Sequence, residues 1–281
     1  FMKIDFHTHT WPDRVAAVAV PSLKARSNSD GFTDGTNAGL SQSMKEAGVD
    51  LSIVLPVITN PASNSKINQN AAKVNETTEE TGIFSFGGIH PEASNLKELV
   101  HECKELGLKG LKLHPDYVGI PFNDIRIKNI ISYAEEEGLV VVTHAGTDIG
   151  LYPPIQCTID MIIEVMKEVA PSRLILAHMG GWMNWEEVNE RLPEYPVYLD
   201  TAFSIGQIPW IKEEGHKPYH MMANGTFEKM VHTFGADRIC FATDSPWADQ
   251  KEYVELIQNM QLTDAEKEQI FSGTAKKLLA L

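Results

Sequence analysis

The sequence predicts an α/β protein folded as a closed (β/α)8 barrel, and three observations lead to this prediction. Short, almost continuously apolar runs alternate along the chain with longer segments of helical character. Such runs are typical of parallel strands that are covered by helices. Eight of these units occur in 281 residues, close to the roughly 250 residues that one barrel of this kind needs.

The predicted elements follow one another in regular order. Strands are expected at residues 3–9, 50–57, 83–89, 108–113, 139–143, 173–177, 197–201 and 238–243. Helices are expected at 36–47, 64–80, 94–106, 124–137, 158–169, 185–191, 227–234, 251–260 and 264–279. Gly48, Gly82, Gly107 and Gly138 end the first four helices, because glycine readily adopts the left-handed conformation that closes a helix.

These units predict a single domain over residues 1–281. It has a long first loop at 10–34, an insertion after the seventh strand at 202–224, and C-terminal helices. No Gly-x-Gly-x-x-Gly pattern follows the first strand, which argues against a dinucleotide-binding sheet.

The first strand carries two histidines two residues apart, His7 and His9. Side chains alternate along a strand, so Asp5, His7 and His9 are expected on one face, with Ile4 and Phe6 on the other. We expect the polar face to line a buried cavity and the apolar face to pack under helices. Two neutral imidazoles this close together can bind one divalent metal ion.

Ionisable residues recur at the carboxyl ends of the predicted strands. They are His7, His9, His90, His114, His144, His178 and Asp244. In a closed barrel those ends meet at one face, where active sites lie. Histidine at the end of an apolar strand is costly to bury unless it is used, so this pattern predicts a functional site.

A metal site explains the pattern. His7, His9, His144 and Asp244 would supply three imidazoles and one carboxylate, which suits Zn²⁺ and also Mn²⁺, Fe²⁺ or Ni²⁺. Such an ion lowers the pKa of a bound water from about 15.7 toward about 7. Asp244 could also take a proton from this water, and His178 could orient the water or polarise the substrate.

Other residues near this face have two interpretations each. His114 is expected as a substrate ligand or a second-metal ligand. His90 either takes part in the site or forms a loop turn. Lys112 is expected as an inward-facing residue that is structural or binds substrate or, as a carbamate, as a bridge between two metals. Trp11, Tyr117, Tyr152, Trp182 and Trp247 could wall a substrate pocket or simply pack loops. His216 and His220 lie in the insertion, as part of a lid or of a solvated loop.

Composition excludes some partners. The net charge of −14 argues against binding to nucleic acid or to an anionic membrane, and no apolar run reaches the roughly 20 residues of a membrane helix. Three scattered cysteines and the absence of an apolar leader predict a reducing, cytoplasmic location. A small-molecule substrate is expected, and a homodimer would fit the class.

The ordered motifs resemble the amidohydrolase superfamily. The resemblance is strongest to its amidohydrolase-related branch of metal-dependent TIM-barrel hydrolases, which includes aminocarboxymuconate semialdehyde decarboxylase-like enzymes. The matching stretches are IDFHTH (4–9), GLKGLKLHP (107–115), VTHAG (142–146), LAHMGG (176–181) and FATDSP (241–246). Phosphoesterases of the polymerase-and-histidinol-phosphatase type also begin with His-x-His. They tend to end in Asp-x-His, whereas this chain has Asp244-Ser245-Pro246.

The resemblance implies a TIM barrel whose metal is bound by His7, His9, His144 and Asp244, with His178 as the catalytic histidine. The fourth strand departs from the binuclear members that use Glu there, so one ion is expected, although two are conceivable. Hydrolysis of an amide, lactone or ester is the first hypothesis and non-oxidative decarboxylation the second. Decarboxylation needs a cation for the substrate acid, for which the first loop offers Arg14, Lys24 and Arg26. A non-catalytic metal-binding barrel is the third hypothesis.

Overall fold

A computed structural model describes residues 1–151, 153–212 and 220–281 as an α/β protein whose strands all run parallel. The strands are β1 Ile4–Thr8, β2 Leu51–Val54, β3 Ile83–Ser85, β4 Gly87–Gly88, β5 Gly110–Leu113, β6 Val140–Thr143, β7 Leu174–Leu176, β8 Tyr198–Asp200 and β9 Ile239–Cys240. They pair in chain order, as one sheet of β1–β3 and another of β4–β9.

The two sheets join into a closed barrel at both of their edges. On one side, β3 and β4 are parts of one predicted strand, separated by Phe86, whose N–H donates to Val54 O at 2.9 Å. On the other side, the Phe6 N–H donates to Phe241 O at 2.9 Å, and the Asp244 N–H donates to His7 O at 2.8 Å. The predicted eight-stranded barrel is therefore confirmed.

Helices follow the strands and cover the outside of the barrel. They are α1 Asp13–Ser27, α2 Asn37–Ala47, α3 Asn64–Asn75, α4 Thr78–Thr81, α5 Leu96–Glu105, α6 Pro115–Val118, α7 Ile125–Glu136, α8 Ile159–Glu168, α9 Trp185–Arg191, α10 Thr226–Phe234, α11 Gln250–Gln258, α12 Asp264–Glu268 and α13 Thr274–Leu279. Local signals start and stop several of them. For example, the Thr36 side chain accepts the Gly39 N–H at the start of α2, and Gly48 ends that helix with a φ of 70°.

The predicted first loop at 10–34 is wrong, because most of it forms helix α1. The mixed character of this segment, with Pro12 near its start, predicted a loop. Pro12, however, stands just before the helix, where its missing N–H costs nothing, and Pro21 is accommodated inside it. The helix buries Ala16 and Val20, and its last turn carries Lys24 and Arg26.

The predicted alternation along β1 is also wrong. The register between β1 and β2 shifts between Asp5 and Thr8, and such an irregularity redirects side chains. Asp5 therefore points outward and accepts a hydrogen bond from Gln250 of helix α11 at 2.8 Å, while His7 faces the cavity described below. Ile4 and Phe6 pack inside the barrel instead of under helices.

The core has two layers that this strand geometry explains. Inside the barrel, Phe6, Ile53, Val142 and Ile175 pack together, and the C-terminal helix α13 adds Leu278 to this cluster. The outward-facing strand residues pack against the helices in a larger cluster. Among the described residues, no helix is both long and apolar enough to cross a membrane.

Candidate metal centre

A cavity of about 510 Å³ opens at the carboxyl ends of the strands. Its lining contains most of the ionisable residues that the sequence singled out: His7, His9, Lys112, His114, His144, His178 and Asp244. The barrel thus brings together residues that are up to 237 positions apart in the sequence, from His7 to Asp244. They form two clusters with different chemistry.

The first group, the His-x-His cluster, consists of His7, His9 and Asp244. The Nε2 atoms of the two histidines lie 3.1 Å apart. Asp244 Oδ1 lies 3.0 Å from His9 Nε2 and 3.4 Å from His7 Nε2. Ligand atoms bound tetrahedrally to one Zn²⁺ at about 2.1 Å lie about 3.4 Å from one another, which is close to this spacing.

Hydrogen bonds to the remote ring nitrogens assign the tautomers in this cluster. His7 Nδ1 donates to Asp200 Oδ2 at 2.9 Å, and His9 Nδ1 donates to Leu55 O at 2.8 Å. Both Nε2 atoms therefore carry lone pairs, and these point at each other and at a carboxylate oxygen. Three acceptors this close repel one another unless a cation lies between them.

Electrostatics favour neutral imidazole at His7. Burial lowers the pKa of His7 well below its ordinary value, and the nearby Lys112 adds to this effect. Neutral imidazole is the form that binds metal. The residues of this cluster therefore fit a divalent cation, on the chemistry of the donor set itself.

The second group, the stacked cluster, consists of His114, His144 and Asp148. The rings of His114 and His144 stack with centroids 4.4 Å apart and planes within 8° of each other. His114 Nδ1 accepts the Tyr117 N–H at 3.2 Å, as the N-cap of helix α6, so its Nε2–H faces Asp148 Oδ2 at 3.5 Å. His114 therefore presents a donor, and this does not support its role as a second-metal ligand.

The pKa shifts in the stacked cluster indicate which of its groups are charged at neutral pH. Burial lowers the pKa of His114 to about 4. Burial acts to raise the pKa of Asp148, but the hydrogen bond from His114 and the proximity of His144 outweigh it, so this pKa lies below its ordinary value. At neutral pH the cluster thus combines neutral imidazoles with an ionised carboxylate.

His178 links the two clusters. Its Nδ1 donates to Ala202 O at 2.8 Å, and its Nε2 lies 3.0 Å from His144 Nδ1. His144 Nε2 donates to Gly146 O at 3.2 Å, so the two facing nitrogens both carry lone pairs. His144 lies with the stacked cluster rather than among the three convergent atoms, and its place as fourth metal ligand stays a prediction.

Lys112 reaches the same space from strand β5. Its Nζ lies 3.5 Å from His7 Nε2. Burial lowers its pKa to about 8, although the carboxylates of Asp200 and Asp244 oppose this shift. A buried amine in this position can donate a hydrogen bond to a substrate or to a metal-bound group.

Aromatic side chains and one cation surround the mouth of the cavity. Trp11, Tyr117 and Trp247 line it, and the Trp11 and Trp247 rings lie 6.3 Å apart. Arg26 lines it as well and hydrogen-bonds to Tyr117. Burial and Asp148 raise the pKa of the Tyr117 phenol to about 12, so it stays protonated.

Several predicted site residues do not line the cavity. His90 is buried in a turn, where its Nδ1 accepts the Glu92 N–H at 3.1 Å. Trp182 donates to Phe203 O at 2.9 Å and packs behind Phe203, which does line the cavity. His220 is exposed. The expectations for Tyr152 and His216 fall outside the described residues.

The sequence interpretation missed two acids, Asp148 and Asp200. Asp148 lies in the loop after β6 and carries no recognisable signal in the sequence. Asp200 is the last residue of β8, and an ionisable residue at a strand end is the pattern that identified the histidines. The sequence therefore contained the signal that could have found Asp200. It is fully buried, and burial raises its pKa to about 6, although His178 and Lys112 act to lower it.

The sequence of residues 4–281 matches the amidohydrolase family, described as "Amidohydrolase". Among curated proteins, none matches the sequence.

Solved structures share the fold at low identity. An uncharacterised TIM-barrel protein from Bordetella bronchiseptica is 19% identical, with a TM-score of 0.76, over 100% of this chain and 99% of its own. The 5-carboxyvanillate decarboxylase of Sphingomonas paucimobilis is 13% identical, with a TM-score of 0.68 over 100% and 99%. A dihydroxybenzoic acid decarboxylase of Polaromonas sp. JS666, solved with bound manganese and an inhibitor, is 15% identical, with a TM-score of 0.67 over 100% and 97%.

Proposed function

We propose that this chain, which belongs to the amidohydrolase family, is a metal-dependent hydrolase that uses an activated water on an amide, lactone or ester of a small molecule. The observation that carries the proposal is the convergence of His7 Nε2, His9 Nε2 and Asp244 Oδ1 within 3.4 Å of one another. The remote nitrogens of both imidazoles are held as donors, so the lone pairs are directed inward.

His7, His9 and Asp244 would hold the ion, with His144 as the predicted fourth ligand. When bound there, a divalent cation lowers the pKa of water toward about 7 and polarises a carbonyl oxygen. Imidazole with carboxylate suits Zn²⁺ best, and Mn²⁺ also fits, as in the Polaromonas decarboxylase.

The remaining polar groups have roles set by their hydrogen bonds. Asp244 can accept the proton of the attacking water and pass it to the leaving group. His178 Nε2 carries a lone pair and orients that water as an acceptor. The single N–H of His114 is directed at the Asp148 carboxylate, and the Tyr117 cap fixes the orientation of the ring.

The cavity limits the substrate to a small molecule. A volume of about 510 Å³ lies within the usual range for small-molecule sites. Its floor is polar, and Trp11 and Trp247 provide flat apolar walls at its mouth. This combination suits a compact substrate with one polar, reacting end and an apolar or aromatic body.

Decarboxylation is the second candidate, and Arg26 is the observation that favours it. Among the described residues, Arg26 forms no ion pair, yet its guanidinium lines the cavity beside Tyr117. Lys24 pairs with Asp30 at 2.6 Å, and Arg14 is exposed on α1 and does not line this cavity. A carboxylate substrate would find its counter-ion at Arg26, and two of the similar structures are named as decarboxylases.

One experiment separates the two candidates. The purified chain is loaded with Zn²⁺ or Mn²⁺ and incubated with panels of lactones, amides and aromatic carboxylic acids, and both new acid and released CO₂ are measured. Acid release without CO₂, lost in His9→Ala, supports hydrolysis. Release of CO₂ that is lost in His9→Ala supports decarboxylation, and turnover that persists in His9→Ala overturns the metal mechanism.

A further inference from the structure

We propose that Asp200, a carboxylate outside the predicted ligand set, is a positioning residue that fixes His7 and His178 together. Asp200 ends strand β8 and is fully buried beneath the cavity. It contacts neither the convergent metal-facing atoms nor the cavity lumen. Its two oxygens instead meet groups that belong to two different parts of the site.

The Oδ2 atom holds the ring of His7. It accepts from His7 Nδ1 at 2.9 Å, and the two side chains are 1% and 0% exposed. A carboxylate can only accept here, so the proton must be on Nδ1 and the lone pair on Nε2. In this way Asp200 selects the tautomer that leaves Nε2 free for a metal ion.

The Oδ1 atom holds the backbone of His178. It accepts the N–H groups of His178 and Ala202, each at 3.0 Å. His178 has a φ of 56°, in the left-handed region that non-glycine residues avoid. The Trp185 indole donates to His178 O at 2.9 Å, so this conformation is held from both sides.

Asparagine at position 200 separates these two functions. If its oxygen keeps the two backbone N–H groups, its NH₂ group faces His7 Nδ1, which must then become an acceptor. The proton of His7 moves to Nε2 and points toward His9 and Asp244, where the ion would bind. Asp200→Asn should therefore weaken metal binding by about 10- to 100-fold while the fold remains intact.

The test measures metal affinity and the tautomer of His7, and it rests on the metal site proposed above. Dissociation constants for Zn²⁺ and Mn²⁺ are determined by chelator competition for the wild type, Asp200→Asn and Asp160→Asn. Asp160 is the matched control, because it is 81% exposed and pairs with Arg191. We expect the control to match the wild type, and an Asp200→Asn affinity within threefold of the wild type overturns the proposal.

A measurement on the wild type covers the case in which Asp200→Asn does not fold. In ¹⁵N-histidine-labelled, metal-free protein, with His7 assigned from His7→Gln, the proposal requires the Nδ1–H tautomer at neutral pH. An Nε2–H tautomer overturns it. If the wild type binds no metal but His7 shows the Nδ1–H form, the metal site fails while the positioning by Asp200 stands.

Discussion

The two clusters at the mouth of the barrel contain the same residue types but differ in where their protons lie. In the His-x-His cluster, the remote nitrogens of His7 and His9 donate to Asp200 and Leu55, so both lone pairs face inward. In the stacked cluster, His114 Nδ1 accepts a backbone N–H, so the opposite nitrogen presents a proton to Asp148.

This difference shows that two histidines and an aspartate do not by themselves define a metal site. The hydrogen-bond partner of the remote nitrogen of each ring decides whether the nitrogen that faces the cavity accepts or donates. The barrel supplies a carbonyl and a carboxylate behind one cluster and the start of helix α6 behind the other. One cluster is thereby suited to a cation, whereas in the other the His114 N–H is directed at the Asp148 carboxylate.

The largest effect is expected from the double variant His7→Ala/His9→Ala. Four ligands give structural Zn²⁺ sites about 10–16 kcal/mol, so losing two should cost more than about 5 kcal/mol, or roughly 10⁴-fold in affinity. His114→Gln is the matched control and should bind metal as the wild type does. Chelator competition measures the metal affinity of both variants. Equal losses of affinity would contradict the claim that the His-x-His cluster, and not the stacked cluster, binds the metal.

His178→Asn should retain the metal and lose most of its turnover. Its Nε2 lone pair orients the water in our account, and such general acid–base groups contribute about 10²–10⁴-fold to rate. The assay is kcat on the substrate that the screen identifies, with metal content measured in parallel. Loss of the ion in this variant would make His178 a ligand.

His114 should also make stability depend on pH. Its folded pKa of about 4 lies below the unfolded value of 6.5, so the unfolded state takes up the proton first as the pH falls. The free energy of unfolding that the neutral His114 contributes is fully present above the unfolded pKa and is lost as the pH falls toward about 4. Between pH 7 and 5, the free energy of unfolding measured with urea should fall by about 2 kcal/mol more in the wild type than in His114→Gln. Equal losses in the two proteins would contradict a neutral, buried imidazole at His114.

Arg26→Met should give the smallest effect, and only with anionic substrates. Removing a charged hydrogen bond of about 1.5 kcal/mol raises KM about tenfold and leaves kcat unchanged. A neutral substrate is the internal control, because its KM should not move. A fall in kcat with KM constant would instead connect Arg26 to the chemical step.

Much of this molecule could be predicted from its sequence, because apolar strands and their terminal histidines are strong local signals. The closed barrel and the gathering of His7, His9 and Asp244 at one face follow from them. Helix α1 was missed because the segment has mixed character, with Pro12 just before the helix and Pro21 inside it. The orientation of Asp5 was missed because a shift in strand register leaves no trace in the pattern of residues.

The tautomers of the histidines could not be predicted from the sequence, and the reason is physical. They depend on contacts between residues distant in the chain, such as His7 with Asp200 and His9 with Leu55. The sequence left both a site role and a turn open for His90, which ends a predicted strand like the others and serves a local turn. A terminal histidine thus indicates position in the barrel, and its partners determine its chemistry.

The number of metal ions per chain tests whether the His-x-His cluster binds a metal. Metal-free protein is reconstituted separately with Zn²⁺ and Mn²⁺, desalted, and analysed by inductively coupled plasma mass spectrometry. We expect about one ion per chain in the wild type and none in the His7→Ala/His9→Ala variant. No ion in the wild type, or an ion that the double variant retains, would contradict it.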